Sequence, residues 1–275
     1  MRLGGEAGAA LDIGDQNNLI AALRAFWGAA FTVLSFLTTH GYSSVDWVDA
    51  QARVLDRFGI QQLAAVLGGS LGGMQALEWA ATFPGRVFAC VAIATAAHHS
   101  AQNIAFDEVG RAAIHSDPDW KGGRYWEDGR IPARGLSVAR MVAHITYLSE
   151  AALARKFGRR LQGAKALTFL EDVFQVESYL RYQGEEFSGR FDANTYLIVT
   201  HSMMVHDVGT GRGGIEAALA TVQARTLVVD VDSDRLFLPA QAEELAGGIP
   251  GARRETITSL HGHDGFLIEA EQMDA

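Results

Sequence analysis

Ala65-Val66-Leu67-Gly68-Gly69-Ser70-Leu71-Gly72-Gly73-Met74-Gln75 is the stretch on which the reading of this chain turns. An apolar run meets abrupt glycines and a serine, and helix-forming residues follow, so it reads as strand, tight turn, helix. The spacing Gly68-x-Ser70-x-Gly72 fits a strained turn that lifts a serine above a parallel sheet. Flanking side chains would collide where the strand reverses into the helix, which favours glycine two positions before and two after the serine. The new helix also aims its free N–H groups, beginning with Leu71, toward any negative oxygen forming beside Ser70. A glycine-rich turn with an incidental serine has the same pattern, so the partners of Ser70 must decide between them.

Working outward, apolar Val45, Val48, Ala52, Leu55 and Phe58 recur at helical spacing up to Gly59. Leu63 to Leu67 then supplies the strand that enters the turn, and the helix after Ser70 runs to about Phe83, where Pro84-Gly85 stops it. Val87 to Thr95 reads as a buried strand, with Cys90 in it as a small hydrophobe rather than a nucleophile. This alternation of helix and strand predicts a mostly parallel sheet with helices on both faces. Between His98 and Gly214 the rhythm gives way to helical segments at Leu136–Leu148, Glu150–Leu161, Glu171–Gln183 and Phe191–His206, which read as an inserted helical cap. Gly209-Thr210-Gly211-Arg212-Gly213-Gly214 reads as a flexible connector; it lacks the Gly-Lys-Ser/Thr ending of a phosphate loop. The sheet pattern returns at Thr226–Val231, followed by a helix at Pro239–Ala246, a short strand at Arg254–Ile257 and a loop His261-Gly262-His263-Asp264-Gly265. The predicted division is therefore 1–97 and 215–275 for the α/β core and 98–214 for the cap.

The chain has 275 residues, 48% of them hydrophobic, which is ample for a real core. A net charge of -9 argues against a nucleic-acid surface. One cysteine allows no internal disulfide and points to a reducing cytoplasm. The apolar stretch Leu19 to Leu37 raises a membrane span or an export signal, but Arg24 interrupts it and Glu6, Asp12 and Asp15 precede it. A buried helix followed by a strand at Phe31–Leu37 is the preferred reading, with no membrane partner. The nine histidines form no HExxH or comparable pattern, so no metal is expected.

A serine hydroxyl needs a base to take its proton and a carboxylate to orient that base. Asp234 follows a late strand and His263 follows the last one, giving the chain order Ser, Asp, His. Asp232 and His261 are the nearby rivals. The bland alternatives are that Asp234 caps a helix and that His263 is a surface loop residue.

The blocks Gly68–Gln75, Ala76-Leu77-Glu78-Trp79, Asp117-Pro118-Asp119-Trp120, Phe174–Leu180, Arg190–Asn194, Ser233-Asp234-Arg235-Leu236-Phe237 and Gly262–Phe266 together resemble the homoserine O-acetyltransferase family. The resemblance implies an α/β-hydrolase fold with a helical cap, commonly a homodimer. It implies transfer of an acetyl group from acetyl-CoA, a co-substrate rather than a resident cofactor, to L-homoserine in methionine synthesis. By that resemblance Ser70 is the nucleophile, His263 the base and Asp234 its orienting acid, with the Leu71 N–H as an oxyanion donor. Arg140 matches the family's substrate-binding arginine and Asp264 its substrate-binding aspartate. A zwitterionic amino acid needs such a cation and anion. The chain departs from the family before the elbow, where N-terminal strands are partly missing and only Leu37-Thr38-Thr39 offers a second oxyanion donor. Its C-terminus is also shorter than a full closing helix. A homoserine O-succinyltransferase, an esterase of the same fold, and a non-catalytic remnant that binds a ligand or partner are the alternatives.

Overall fold

Four parallel strands form one sheet among the described residues, and all of them deliver their C-terminal ends to the same edge. The computed structural model describes residues 43–163 and 174–274. The expected strand at Phe31–Leu37, the donor segment Leu37-Thr38-Thr39 and the reading of Leu19 to Leu37 lie outside the described residues.

The first helix, α1 (Ser44–Arg57), starts at a reciprocal cap in which Ser43 N–H donates to Asp46 Oδ2 at 2.8 Å while Ser43 Oγ accepts from Asp46 N–H. Strand β1 (Val66–Gly69) runs into α2 (Leu71–Thr82), and β2 (Ala89–Ile93) follows. The expected strand start at Leu63 survives only as an isolated bridge to Val87. After a helical segment come α8 (Ile215–Ala220), β3 (Arg225–Val231), α9 (Pro239–Gly248) and β4 (Arg253–Ile257). Two short helices, Gly265–Ile268 and Ala270–Met273, end the described chain.

The strands lie in sequence order, with Gly69 beside Ile93, Ile93 beside Val229, and Val231 beside Ile257. Side chains alternate across the sheet. Cys90, Ala92 and Val228 join Val48, Leu77, Ala80, Leu219 and Leu245 in one apolar core. Ile93, Val229, Val231 and Ile257 face the other side against Phe266 and Met273. Burial pushes the Cys90 thiol up to about 12, so this side chain packs as a hydrophobe.

Between β2 and β3 lie α3 (Ala101–His115), α4 (Ala133–Tyr147), α5 (Glu150–Lys156), α6 (Gln175–Ser188) and α7 (Ala193–Met204). Ile114, Tyr125, Leu136, Ala139, Phe187 and Leu197 give these helices an apolar cluster of their own. Helix α3 is absent from the sequence expectation because its apolar stripe is broken by polar residues; its legible signal is Ser100, whose Oγ accepts from Asn103 N–H at 3.2 Å. Helix α5 stops short of Leu161, and α6 continues past Gln183; the expected start of the latter at Glu171 lies outside the described residues.

The glycine-rich connector is pinned rather than free. Arg212 Nη1 donates to the Val208 carbonyl at 2.8 Å, and Nη2 donates to Thr82 Oγ1 at 2.8 Å and to the fully buried Glu78 carboxylate. No helix among the described residues is long and apolar enough to cross a membrane.

Candidate active site

Ser70 sits between β1 and α2 at φ 56°, ψ -122°, a left-handed conformation that costs a non-glycine residue about 1–3 kcal/mol. It is held there by its own N–H donating to the Ile93 carbonyl at 2.8 Å, and its carbonyl accepts from Met74 N–H at 3.1 Å. The hydroxyl makes no cap bond to α2, which leaves it available above the strand ends. A Cβ on Gly68 would stand 2.2 Å from the Gly72 carbonyl oxygen, so glycine is required before the serine. The matching expectation for Gly72 is corrected: a Cβ there meets nothing within 4 Å, because the crowding comes from the strand side of the turn. Leu71, the first residue of α2, carries one of the N–H groups that the helix itself leaves unpaired.

Asp234 and His263 meet. Their loops leave β3 and β4 at the same sheet edge as Ser70, and His263 Nδ1 lies 2.7 Å from Asp234 Oδ2, both side chains being almost wholly buried. A carboxylate only accepts, so Nδ1 carries the hydrogen and Nε2 presents a lone pair. Asp234 Oδ1 accepts from the N–H groups of Leu236 at 2.7 Å and Phe237 at 3.0 Å, which fixes the carboxylate without help from α9. The rivals lie elsewhere: Asp232 accepts from Ser259 N–H, and both Asp232 and His261 line a separate hollow with Ser259 and Glu269 rather than the cavity of Ser70.

Aromatic rings connect His263 to Ser70. The imidazole packs at 5.4 Å from Phe237, 5.5 Å from Phe266 and 6.0 Å from Tyr147. Phe266 lies against Gly69, the residue before the serine, and both Phe237 and Tyr147 line a cavity with Ser70. Among the described residues Ser70 Oγ forms no hydrogen bond with His263; such contacts tighten when substrate is bound.

That cavity, about 230 Å³, is walled by Phe106, Val199, Met203 and Leu236 and carries the guanidinium of Arg140. Arg140, on α4, lies over the rings of Phe187 at 4.9 Å and Tyr147 at 5.4 Å, and its buried Nε has no partner. A cation placed this way can take a planar anion. Asp264 follows His263 directly. It is not among the residues that line this cavity; burial holds its carboxyl above the usual range, opposed by the charges of His263 and Arg140.

Two cavity residues escape the sequence reading, His99 and Asp107, which are bonded through Nε2 and Oδ2 at 2.9 Å. Their signal is the cap at Ser100: His99 stands just before it, and Asp107 lies about two turns into the helix that it starts. Among the described residues no three His, Cys, Asp or Glu side chains cluster so as to hold a metal ion.

Residues 27–270 match the family described as having the alpha/beta hydrolase fold. A homoserine O-acetyltransferase of Mesorhizobium japonicum is 51% identical over 236 residues, 84% of this chain and 61% of the relative. A homoserine O-succinyltransferase of Pseudomonas putida is likewise 51% identical, over 248 residues, 88% of this chain and 63% of the relative. The chain thus spans a little over three-fifths of the length of these relatives. The crystal structure of homoserine O-acetyltransferase from Bacillus anthracis superimposes with a TM-score of 0.81 at 22% identity, covering 86% of this chain and 65% of that one, a likeness of fold.

Proposed function

The chain belongs to the α/β-hydrolase fold family, and from that premise we propose that it transfers a small acyl group from an acyl-CoA thioester to the hydroxyl of L-homoserine through an acyl-Ser70 intermediate. The observation that carries this reading is the buried Asp234–His263 pair set among rings that also border the Ser70 cavity. Relatives named homoserine O-acetyltransferase and homoserine O-succinyltransferase support L-homoserine as the acceptor.

In the first half-reaction Ser70 Oγ attacks the thioester carbonyl as His263 Nε2 takes its proton. The negative oxygen of the tetrahedral intermediate is received by the Leu71 N–H and the positive end of α2. The thiol departs with the proton from His263. In the second half, His263 removes the proton of the homoserine hydroxyl, which attacks the acyl-serine; Ser70 leaves with that proton. Arg140 takes the acceptor's carboxylate and Asp264 its ammonium. The apolar walls exclude water, which would otherwise hydrolyse the intermediate.

Acetyl-CoA is the proposed donor. The segment Ser233-Asp234-Arg235-Leu236-Phe237 resembles the acetyl-using members, and the cavity falls below the roughly 300–1,000 Å³ typical of drug-sized ligands. The relatives of equal identity name both acyl groups, so the experiment compares them directly. Intact-protein mass after mixing with acetyl-CoA should show one added acetyl group, lost on addition of L-homoserine and never formed by Ser70→Ala. Succinyl addition at a greater rate would replace the acetyl assignment, and no acyl addition from either donor would overturn the reading.

A further inference from the structure

Arg140 is not alone in the cavity beside Ser70. Asp107, on α3, lines the same space and is 16% exposed, whereas its partner His99 is 3% exposed. Because a carboxylate cannot donate, the 2.9 Å contact is His99 Nε2–H donating to Asp107 Oδ2. That bond fixes the carboxylate, and among the described residues Oδ1 has no partner. It also leaves His99 Nδ1 as a lone-pair acceptor, buried and unpartnered, like Arg140 Nε in the same wall. A small cavity with an unpaired cation, an oriented anion and a buried acceptor is built for a ligand carrying both charges and spare N–H donors.

We propose that Asp107, positioned by His99, is a second carboxylate for the amino group of the acceptor, sharing with Arg140 the cavity beside Ser70. The inference rests on the amino-acid-acceptor reading above and extends it. Asp107 and Arg140 line the cavity together with the phenols of Tyr147 and Tyr196. Tyr196 in the same wall also feels Asp107 and Arg140. An ammonium has three N–H donors, so a bond to Asp107 leaves two for other acceptors. His99 acts through Asp107 as a positioning residue.

The test uses two acceptors that differ only in the amine: L-homoserine and 4-hydroxybutanoate, which keeps the hydroxyl and the carboxylate. The readout is the ratio of their kcat/KM values with acetyl-CoA as donor. Wild-type protein should favour L-homoserine, and Asp107→Asn should reduce that preference about 10- to 100-fold, the loss expected for a hydrogen bond to a charged group. Asp107→Ser, which removes the same charge by a different side chain, must show the same fall. A ratio equal to wild type in either variant overturns the inference, as does an equal loss with both acceptors, which marks a merely structural role. Failure of the wild-type chain to transfer to L-homoserine would instead overturn the acceptor reading itself.

Discussion

Asp234 divides its two oxygens between partners: Oδ1 accepts from two backbone N–H groups, and Oδ2 faces His263 Nδ1. Asp234→Asn can keep the first pair, but its amide would donate toward Nδ1 and leave Nε2 protonated, unable to act as base. We expect kcat for acyl transfer to fall about 10⁴-fold with the fold intact; a loss below tenfold in steady-state assays would deny Asp234 its role. A different histidine contributes to acid stability, as does the buried His144, whose pKa burial also lowers to about 4. His206 is buried, donates from Nε2 to the Ala96 carbonyl at 3.2 Å and accepts at Nδ1 from Ser44 Oγ at 2.8 Å. Burial lowers its pKa from 6.5 to about 4. Between those values the unfolded chain binds the extra proton, so stability is complete above about pH 6.5 and is lost as pH falls toward 4, by at most about 1.4 kcal/mol per unit. Urea midpoints measured at about pH 7 and about pH 4.5 should therefore differ less in His206→Gln than in wild type, and an unchanged difference would exclude His206 as a contributor. The sequence made Ser70, Asp234 and His263 legible because chain order and strand ends constrain them. It hid His99 and Asp107 because their pairing depends on a helix whose stripe is broken.

At the scale of the element, the turn between β1 and α2 is less symmetric than its sequence. Gly68-x-Ser70-x-Gly72 puts a glycine on each side, yet a Cβ at the first collides with backbone at 2.2 Å and one at the second finds open space. Letters spaced evenly about a serine carry no information on which flank is crowded; the three-dimensional path of the strand decides that. Gly68→Ala should therefore destabilise the protein by about 1–3 kcal/mol, the range for forced overpacking. Gly72→Ala, at a helical position with ordinary φ, should be neutral or stabilising by up to about 1 kcal/mol. Thermal melts of the two variants side by side settle the matter, and equal destabilisation would refute the asymmetry. Parallel strands β2 and β3 were legible as apolar runs, whereas β1 begins later than the expected Leu63 because its pairing with Cys90–Ile93 covers Val66–Gly69.

Across the whole molecule, the helix that carries the serine is fastened to the segment that returns the chain to the sheet. Glu78 lies on α2 with no exposed surface, accepts from Thr82 Oγ1 at 2.7 Å and is paired with Arg212. These partners are 134 residues apart, so no local pattern announces them, and a glycine-rich run around a single arginine reads as slack chain. The pair explains why that run is ordered: the guanidinium closes over the carboxylate while its other donors take the Val208 carbonyl and Thr82. Removing one charge would strand the other in the core. Arg212→Met should therefore cost about 3–5 kcal/mol, and replacing both partners together, Glu78→Leu with Arg212→Met, should recover most of that loss, since a buried pair can be exchanged for apolar side chains of similar volume. Chemical denaturation of wild type and the two variants reads both quantities. If Arg212→Met alone unfolds at the wild-type midpoint, the contact adds nothing, and the position of α2 rests on the apolar packing of Leu77 and Ala80 beneath the sheet instead.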